Sequence, residues 1–295
     1  MPGAPYVGRF APSPTGDLHF GSLVTALASY LRARAAAGEW LVRIDDLDPL
    51  REQAGAADRI LRALERCGLH WDREVFYQRT QYAAHLRACE RLLHSRIAYY
   101  CVCSRREVAG RPYAGICRSR HSPPAGRHSV RVQVGHAPIT ITDPIQGEAH
   151  WDLANDGGDF VIWRVEDLPA YHLAAVVDDA TSGVTEVVRG ADLYASAPRQ
   201  RHLQVLLKLP QTTYLHLPVA VDRAGCKLSK QTGAPDFGLL PVPQLLVAAL
   251  TWLGCVIPRE FHGAPPAELL PWAVTHWALA RVPRAASIIA PAFAL

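Results

Sequence analysis

The chain has 295 residues, of which 49% are hydrophobic and 20% charged, so it is long enough for two domains with a full apolar core. Its 31 Lys and Arg residues against 27 Asp and Glu residues give a formal charge of +4, which permits a nucleic-acid partner but argues little for one. The chain opens with no charged-then-apolar signal segment, and no apolar run reaches membrane-spanning length. These features exclude a helical membrane protein, and we expect a cytoplasmic one.

The first predicted elements are a strand over Tyr6–Ala11, a turn rich in proline and glycine, and an amphipathic helix that stops near Gly38. The turn ends in His19-Phe20-Gly21-Ser22. A glycine-containing turn that opens a helix presents backbone N–H groups and the positive end of the helix dipole to a phosphate. We expect His19 to add a hydrogen bond from its ring, and Gly21 to let a nucleotide approach the backbone closely. The alternative interpretation is an ordinary surface turn.

A second strand is predicted over Trp40–Ile44, and it ends in the acidic residues Asp45, Asp46 and Asp48. A strand, phosphate-binding turn, helix and strand form the start of a doubly wound nucleotide-binding domain. The carboxyl ends of its parallel strands border the ligand crevice, so these acids could bind a substrate ammonium, a ribose or Mg²⁺. The alternative is a solvated acidic turn in which Asp48 caps the next helix.

The remaining pattern divides into helices, a β-rich stretch and further strands. Helices are predicted over 53–67, 80–96 and 198–208. From Ser129 onward, short alternating runs separated by turn residues indicate strands over 130–134, 139–141 and 160–165. The apolar runs His172–Val177 and Val184–Val188 are predicted as further strands of the parallel sheet, and the Leu-, Ala- and Trp-rich end as a helical cap.

Three of the seven cysteines cluster in the sequence, at Cys101, Cys103 and Cys117. In a reducing compartment such a cluster indicates metal binding rather than a disulfide framework. Three thiolates and one further donor form the closed tetrahedral shell of a structural Zn²⁺. Tyr113 and His121 both stay open as the fourth donor: a phenol must lose its proton to bind well, and imidazole is the more ordinary ligand. A metal-free trio of buried cysteines is the alternative.

A second basic stretch, Lys227-Leu228-Ser229-Lys230-Gln231, follows a glycine-containing turn. Two lysines three residues apart can place ammonium charge on a triphosphate, where negative charge develops on the departing pyrophosphate. The alternative interpretation is a solvated basic loop.

Together, His19–Ser22 and Lys227–Gln231 resemble the two signature motifs of class I aminoacyl-tRNA synthetases. Three further stretches, Arg9–Gly16, Arg43–Asp48 and Arg189–Asp192, are similar to the glutamyl branch of that class. The motifs occur in the family's order and span most of the chain. Ser22 stands where the general class I motif has a second histidine.

Within this branch, the chain looks like the truncated glutamyl-queuosine tRNA(Asp) synthetase family. It ends soon after the lysine loop, where full glutamyl-tRNA synthetases continue into a helical anticodon-binding region, and its cysteine cluster is similar to that family's zinc site. The resemblance implies an α/β fold: a class I synthetase Rossmann-like nucleotide-binding domain with an inserted zinc-containing β-rich module and a short C-terminal helical cap. The implied segments are the two halves of the catalytic domain, the inserted module and a helical end without an anticodon-binding domain. In chain order, they cover 1–98 (first half), 99–170 (module), 171–232 (second half) and 233–295 (helical end).

The implied activity is ATP-dependent, tRNA-independent activation of L-glutamate to glutamyl-adenylate. Transfer of the glutamate to the queuosine base at the wobble position of tRNA(Asp) would follow. The implied cofactors are one structural Zn²⁺, and Mg²⁺ bound with ATP, in a monomer. Two other functions stay open: a glutamyl-tRNA synthetase that charges a tRNA 3′ end, and a non-catalytic synthetase-like binding module.

The resemblance also assigns site residues. For L-glutamate they are Arg9, Phe10, Ala11, Pro12, Ser13, Asp45, Tyr171 and Arg189. For ATP and catalysis they are His19, Gly21, Lys227, Ser229 and Lys230. For zinc they are Cys101, Cys103, Tyr113 and Cys117. Arg9 would pair with a carboxylate through its planar fork, and Asp45 would bind the glutamate ammonium although it is one methylene shorter than the family's Glu.

Overall fold

The structure, a computed structural model, describes residues 5–104, 106–228 and 241–291. Its helices are α1 Phe20–Ala35, α2 Ala56–Arg66, α3 Tyr82–His94, α4 Tyr171–Ser182, α5 Ala197–Leu206, α6 Val242–Trp252 and α7 Pro266–His276. Its strands are β1 Val7–Phe10, β2 Glu39–Ile44, β3 Phe76–Tyr77, β4 Ala98–Cys101, β5 Ser129–Val132, β6 Ile139–Asp143, β7 Gly147–Trp151, β8 Phe160–Trp163, β9 Glu186–Gly190, β10 Thr213–Leu217, β11 Val219–Val221 and β12 Ser287–Ile289.

Parallel strands form the centre of the fold. β2 pairs in parallel with both β1 and β3, and β10 pairs in parallel with β9. The backbone N–H of Thr185 donates to the carbonyl of Val7 at 2.9 Å, so the chain entering β9 lies beside β1. The strand order changes direction between β1 and β9, and ligands of doubly wound folds bind at such a switch point, outside the carboxyl ends of the strands.

Helix α1 is buried on several sides, which fixes its N-terminus at that switch point. Leu23, Leu27 and Leu31 recur every four residues and are fully buried, in a core shared with β2, α6 and α7. Each such side chain contributes roughly 1.5–3 kcal/mol through burial. At the start of the helix, the ring of Phe20 meets the ring of Trp252 edge-on, with centroids 6.3 Å apart.

The strand predicted over 172–177 is wrong: these residues lie in helix α4. A short apolar run has the same periodicity in a buried strand and in a buried helix, so the pattern alone could not decide. The helix continues through Asp178 and Asp179, which are buried because each finds polar partners: Gln78 and His85 for Asp178, and two arginines for Asp179. Those partners come from distant segments, which no local pattern reveals.

Antiparallel strands follow α3. β5 pairs with β4 and β8, and β6 and β7 form a hairpin. The strands predicted near 130–134, 139–141 and 160–165 are confirmed as β5, β6 and β8, whereas β7 was not predicted. Val132 and Ile162 of this sheet share a core with Leu173 of α4 and Leu203 of α5. The sheet therefore packs onto the helices that carry part of the site.

The C-terminal part contains α6, α7 and the short strand β12, which pairs in parallel with β11 and was not predicted. Both helices belong to the same hydrophobic core as α1. Among the described residues, no helix combines the length and the apolar character needed to cross a bilayer.

Candidate active site

A cleft of about 430 Å³ opens at the carboxyl ends of β1 and β9. Its walls come from the turn after β1, the start of α1, the end of β2, the start of α4 and the segment around β11. Most of the predicted site residues outside the cysteine cluster line it. They are Arg9, Phe10, Ala11, Pro12, Ser13, His19, Gly21, Asp45, Tyr171, Arg189 and Lys227. Ser229 and Lys230 lie outside the described residues.

His19 is the N-cap of α1. Its Nδ1 accepts a hydrogen bond from the backbone N–H of Ser22 at 3.3 Å, so a neutral ring carries its proton on Nε2, which lies 3.2 Å from Ser22 Oγ. The first turn of α1 contains no acidic side chain that would offset the helix dipole. This end of the helix therefore directs positive partial charge towards the cleft.

Gly21 makes room for the His19 ring. A Cβ at this position would lie 3.3 Å from two ring atoms of His19 and 3.6 Å from Cβ of Ala220. Most Cβ contacts are longer than 3.3 Å, so a side chain here would require the His19 ring to shift by a few tenths of an ångström. Glycine at this position of α1 leaves the ring room for its capping hydrogen bond.

Four charged side chains form an alternating network on the amino-acid side of the cleft. Asp179 accepts from Nε of Arg9 at 3.1 Å and from Nη1 of Arg43 at 2.7 Å. Nε of Arg43 in turn donates to Asp45 Oδ1 at 2.6 Å. Arg9, Arg43 and Asp179 are buried, and Asp45 is largely so. Burial of Asp179 favours a raised pKa, but Arg9 and Arg43 outweigh it and hold the pKa below its ordinary value.

Asp45 keeps an unusual pKa in this network. Burial raises it from 3.8 to about 6, against the lowering effect of Arg43. The backbone N–H of Asp45 donates to the carbonyl of Pro12 at 2.9 Å, which ties the end of β2 to the turn after β1. Its carboxylate is therefore held at the cleft wall by Arg43 and by the backbone.

The other two acids of that segment have different roles. Asp46 is buried and accepts from the backbone N–H of Arg79 at 2.8 Å and from the Arg79 side chain. Asp48 accepts from Nε of Arg51 at 2.7 Å. It does not cap the next helix, because α2 begins after Gly55. The alternative in which Asp48 is a helix cap is therefore wrong.

Arg189 reaches the cleft from the end of β9. Its Nη1 donates to Gln200 Oε1 at 2.7 Å and to the hydroxyl of Tyr171 at 3.4 Å, while its Nε donates to Nε2 of His216 at 2.9 Å. Its Nη2 is buried and has no hydrogen-bond partner within the described part of the chain. An unpaired buried donor is costly, so this atom is suited to an anionic ligand.

Lys227 is positioned by a tight turn after β11. Asp222 accepts from the backbone N–H groups of Ala224 and Cys226 at 2.9 and 2.8 Å. The ammonium of Lys227 then donates to Asp192. A Cβ at Gly190 would lie 2.4 Å from Asp192 Oδ1, so a side chain here would require the Asp192 carboxylate to move. Lys227 and the Arg189–Asp192 motif thus meet at the cleft.

The three predicted cysteine ligands come together away from the cleft. The Sγ atoms of Cys101, Cys103 and Cys117 all lie within 4.8 Å of one another, with Cys103 and Cys117 at 3.6 Å. The hydroxyl of Tyr113 is 3.4 Å from both Cys101 and Cys103. His121 is exposed and does not belong to this group.

These distances suit a tetrahedral zinc ion. Thiolates at ~2.3 Å from zinc lie ~3.8 Å apart, and a phenolate oxygen at ~2.0 Å lies ~3.5 Å from each sulfur. Burial raises the pKa of Cys103 to about 11, whereas hydrogen bonds outweigh burial at Cys117 and lower its pKa to about 7. A bound cation would stabilise the thiolate forms that ligate a metal and would offset their charge. The residues therefore fit a structural metal.

Sequence reasoning did not single out the residues behind the cleft wall. Asp179, His216, Gln200 and Asp143 contact the predicted site residues or their immediate partners. Apart from Asp179, which follows an apolar run, each lies in an ordinary-looking stretch of sequence. No local signal distinguished them, because their roles depend on partners from other segments.

Comparisons with known proteins show the family of the chain. The sequence profile of the family described as tRNA synthetases class I (E and Q), catalytic domain, matches residues 6–112 and 117–235. A protein of Methylococcus capsulatus named glutamyl-Q tRNA(Asp) synthetase is 50% identical over 285 residues, which cover 96% of this chain and 94% of that protein. One of the same name from Pseudomonas aeruginosa is 46% identical, covering 96% and 97%.

The fold is also similar to that of solved structures. Glutamate-tRNA synthetase from Elizabethkingia anophelis superposes with a TM-score of 0.79 and 23% identity, covering 96% of this chain and 68% of that one. At this identity the likeness concerns the fold alone. It agrees with the mixed α/β architecture of this chain.

Proposed function

The chain belongs to the class I (E and Q) synthetase family and, within it, to the glutamyl-Q tRNA(Asp) synthetases, and we propose that it attaches L-glutamate to the queuosine base of tRNA(Asp). It is a class I synthetase-like ligase whose substrates are glutamate, ATP and tRNA. The base that accepts glutamate is the wobble base of the anticodon. Because ATP and tRNA are cytoplasmic, we propose that the reaction takes place in the cytoplasm. We also expect the protein to be a monomer.

One observation carries the proposal: a single cleft contains charged groups suited to an amino acid and groups suited to a nucleotide. Arg9, Asp45 and Arg189 lie at the carboxyl edge of the parallel strands. His19, at the N-terminus of α1, and Lys227 border the same space. Both substrates of an adenylation reaction would therefore meet within one chain, which supports activation of glutamate without tRNA.

On the amino-acid side, the charges match glutamate. Its ammonium pairs with Asp45, the largely buried carboxylate at the wall. Its carboxylates face Arg9 and Arg189. Nη2 of Arg189, which has no hydrogen-bond partner among the described residues, gains an acceptor on binding. Tyr171, which already accepts from Arg189, covers this region, and the backbone from Phe10 to Ser13 forms the adjoining wall.

On the nucleotide side, the positive end of α1 and the capping His19 face the phosphates. The α-carboxylate of glutamate attacks the α-phosphorus of ATP, a new O–P bond forms, and the bond to pyrophosphate breaks. The step needs no general base because the nucleophile is already ionised. Catalysis is positioning plus charge stabilisation, to which we assign Lys227 and Lys230. A Mg²⁺ ion bound with ATP would add positive charge at the phosphates. We also assign Gly21 and Ser229 to ATP binding.

In the second step, a hydroxyl of the queuosine base attacks the acyl carbon of glutamyl-adenylate. The new ester bond forms, the bond between the acyl carbon and the phosphate oxygen breaks, and AMP leaves. The cleft is open to solvent, so the base of an anticodon loop can approach the bound adenylate. We assign no side chain as the base for this step.

The domain organisation is part of the proposal. Residues 1–98 and 171–232 form the catalytic domain, 99–170 an inserted β-rich module, and 233–295 a helical end. Cys101, Cys103, Tyr113 and Cys117 hold one Zn²⁺ in the module, with Tyr113 rather than His121 as the fourth ligand. The ion would act structurally, by joining β4 to the loop that carries Tyr113 and Cys117, and it takes no part in the reaction.

The test is a glutamylation assay with labelled glutamate and ATP on tRNA(Asp) with and without queuosine, and on tRNA(Glu). Nuclease digestion of the labelled tRNA, followed by chromatography of the nucleosides, separates label on the 3′-terminal adenosine from label on the queuosine nucleoside. We expect label on the queuosine nucleoside alone. Label at the 3′ end of unmodified tRNA(Glu) would instead identify a charging synthetase. Absence of glutamate-dependent ATP–pyrophosphate exchange would identify a non-catalytic binding module.

A further inference from the structure

A chain of three buried side chains runs from the β6–β7 hairpin into the cleft. Asp143 Oδ2 lies 2.8 Å from Nδ1 of His216, and Nε2 of His216 lies 2.9 Å from Nε of Arg189. His216 is completely buried, and Asp143 and Arg189 are nearly so. Of the three, Arg189 lines the cleft.

The hydrogen bonds determine the tautomer of His216. The guanidinium of Arg189 stays protonated, so its Nε–H can only donate, and Nε2 of His216 must accept. The ring proton is therefore on Nδ1, where it donates to the carboxylate of Asp143. Asp143 is itself held by backbone N–H groups of Ile145, Gln146 and His216, at 2.8, 2.9 and 2.8 Å.

This chain fixes the plane of the guanidinium. Nε of Arg189 is bound by His216 and Nη1 by Gln200, so two edges of the planar group are held. Its central carbon also lies 5.1 Å from the centroid of the Tyr214 ring. The remaining nitrogen, Nη2, is the buried atom without a partner among the described residues. Because the other two nitrogens are held, the N–H bonds of Nη2 point in one fixed direction.

We propose that His216 is a positioning residue for amino-acid binding. Asp143 imposes a single tautomer on the His216 ring, and the ring in this tautomer orients Arg189 towards a substrate carboxylate. The inference rests on the proposed function, in which Arg189 binds glutamate. His216 does not touch the substrate. A guanidinium held before the ligand arrives loses less conformational freedom on binding, and this lowers the KM for glutamate.

Two substitutions of His216 distinguish the hydrogen bond made by Nε2 from the one made by Nδ1. In His216→Gln, the amide oxygen reaches the position of Nε2 and can accept from Arg189. In His216→Asn, the shorter amide reaches only the position of Nδ1, where it can serve Asp143 and not Arg189. His202→Asn is the control, because His202 is a half-buried imidazole that bonds to the carbonyl of Gln133, away from the cleft.

Glutamate-dependent ATP–pyrophosphate exchange gives KM for glutamate, KM for ATP and kcat for each variant. We expect His216→Asn to raise the glutamate KM by about tenfold, as the loss of a hydrogen bond to a charged group does. His216→Gln should stay within about threefold of wild type, with the KM for ATP unchanged in both. Equal effects of Asn and Gln, or an unchanged glutamate KM in a folded Asn variant, would overturn the proposal.

A measurement on the wild-type protein covers the case in which the Asn variant does not fold. The ¹⁵N chemical shifts of the imidazoles, with His216 assigned from the spectrum of His216→Gln, report which ring nitrogen carries the proton at neutral pH. We expect the proton on Nδ1, and a proton on Nε2 would overturn the proposal because that atom could no longer accept from Arg189. If wild type shows no glutamate-dependent exchange, the proposed function fails, and the tautomer is still decided separately.

Discussion

The carboxylate of Asp179 holds the guanidinium of Arg9 side-on, with Nε to Oδ1 at 3.1 Å and Nη2 to Oδ2 at 3.4 Å. Both side chains are only 6% exposed, and they lie 170 positions apart in the sequence. The same carboxylate binds Arg43, which in turn binds Asp45. A single buried acid therefore connects the two charges that we assign to glutamate.

Asp179→Asn should weaken glutamate binding and the fold together. Removing one partner of a buried ion pair leaves uncompensated charge, at a cost of about 3–5 kcal/mol in the free energy of unfolding. We expect the glutamate KM in the exchange assay to rise about tenfold, with an unchanged KM for ATP. Asp178→Asn is the matched control, because Asp178 is a buried neighbour that binds Gln78 and His85 instead. An equal rise of the glutamate KM in both variants would contradict the specific role of Asp179.

The pKa of Asp45, raised by burial to about 6, predicts how glutamate binding depends on pH. As the pH falls through 6, Asp45 takes up a proton and no longer attracts the substrate ammonium, so the glutamate KM should rise. The same titration of Asp45 changes the free energy of unfolding in the opposite direction with pH. Because the folded-state pKa is above the ordinary 3.8, this group's contribution is fully present below 3.8 and is lost as the pH rises through 6.

The pH dependence can be checked with the glutamate KM across this range and with thermal unfolding at the same pH values. Asp45→Asn should have a higher KM that no longer changes near pH 6. A variant that keeps the wild-type profile would show that another group titrates there.

The geometry of the cysteine cluster predicts one zinc per chain and a specific fourth ligand. Tyr113→Phe should lower the zinc content of the purified protein and its resistance to chelators, because the phenol oxygen is 3.4 Å from two of the sulfurs. His121→Ala should leave both unchanged, since this side chain is exposed and outside the cluster. Atomic absorption of the two variants decides between them, and zinc loss in the alanine variant alone would assign His121 instead.

Lys230→Ala should impair adenylate formation and spare the fold. Loss of a charge contact made in the transition state costs roughly 2.7–4 kcal/mol, or about 10²–10³ in rate. Glutamate-dependent exchange measures this, with thermal unfolding as the check on structure. A decrease of less than about threefold would exclude a phosphate contact. Lys227→Ala is an informative comparison, because Lys227 is already paired with Asp192 and its ammonium is partly neutralised.

The elements that could be predicted from sequence are those with a local cause. The entry strand, the turn at His19 and helix α1 follow one another along the chain, and a cap such as His19 bonds to a residue three positions away. Strand β2 and the acid that follows it could be placed for the same reason. These local rules are enough to put Gly21 and Asp45 at one edge of a parallel sheet, whereas the site role of Arg9 came from the family resemblance.

By itself, then, the sequence determined the first strand, helix and second strand beside the cleft, because their patterns are local. The resemblance of its motifs, spread along the chain, determined the family and most of the residues that line the cleft. Only the tertiary structure decided that 172–177 is helical and that Asp179 and His216 hold the two arginines. The partners of these buried groups are 170 and 27 positions away, for Arg9–Asp179 and Arg189–His216. A buried charge is stable only where folding brings it a partner, and no local pattern names that partner.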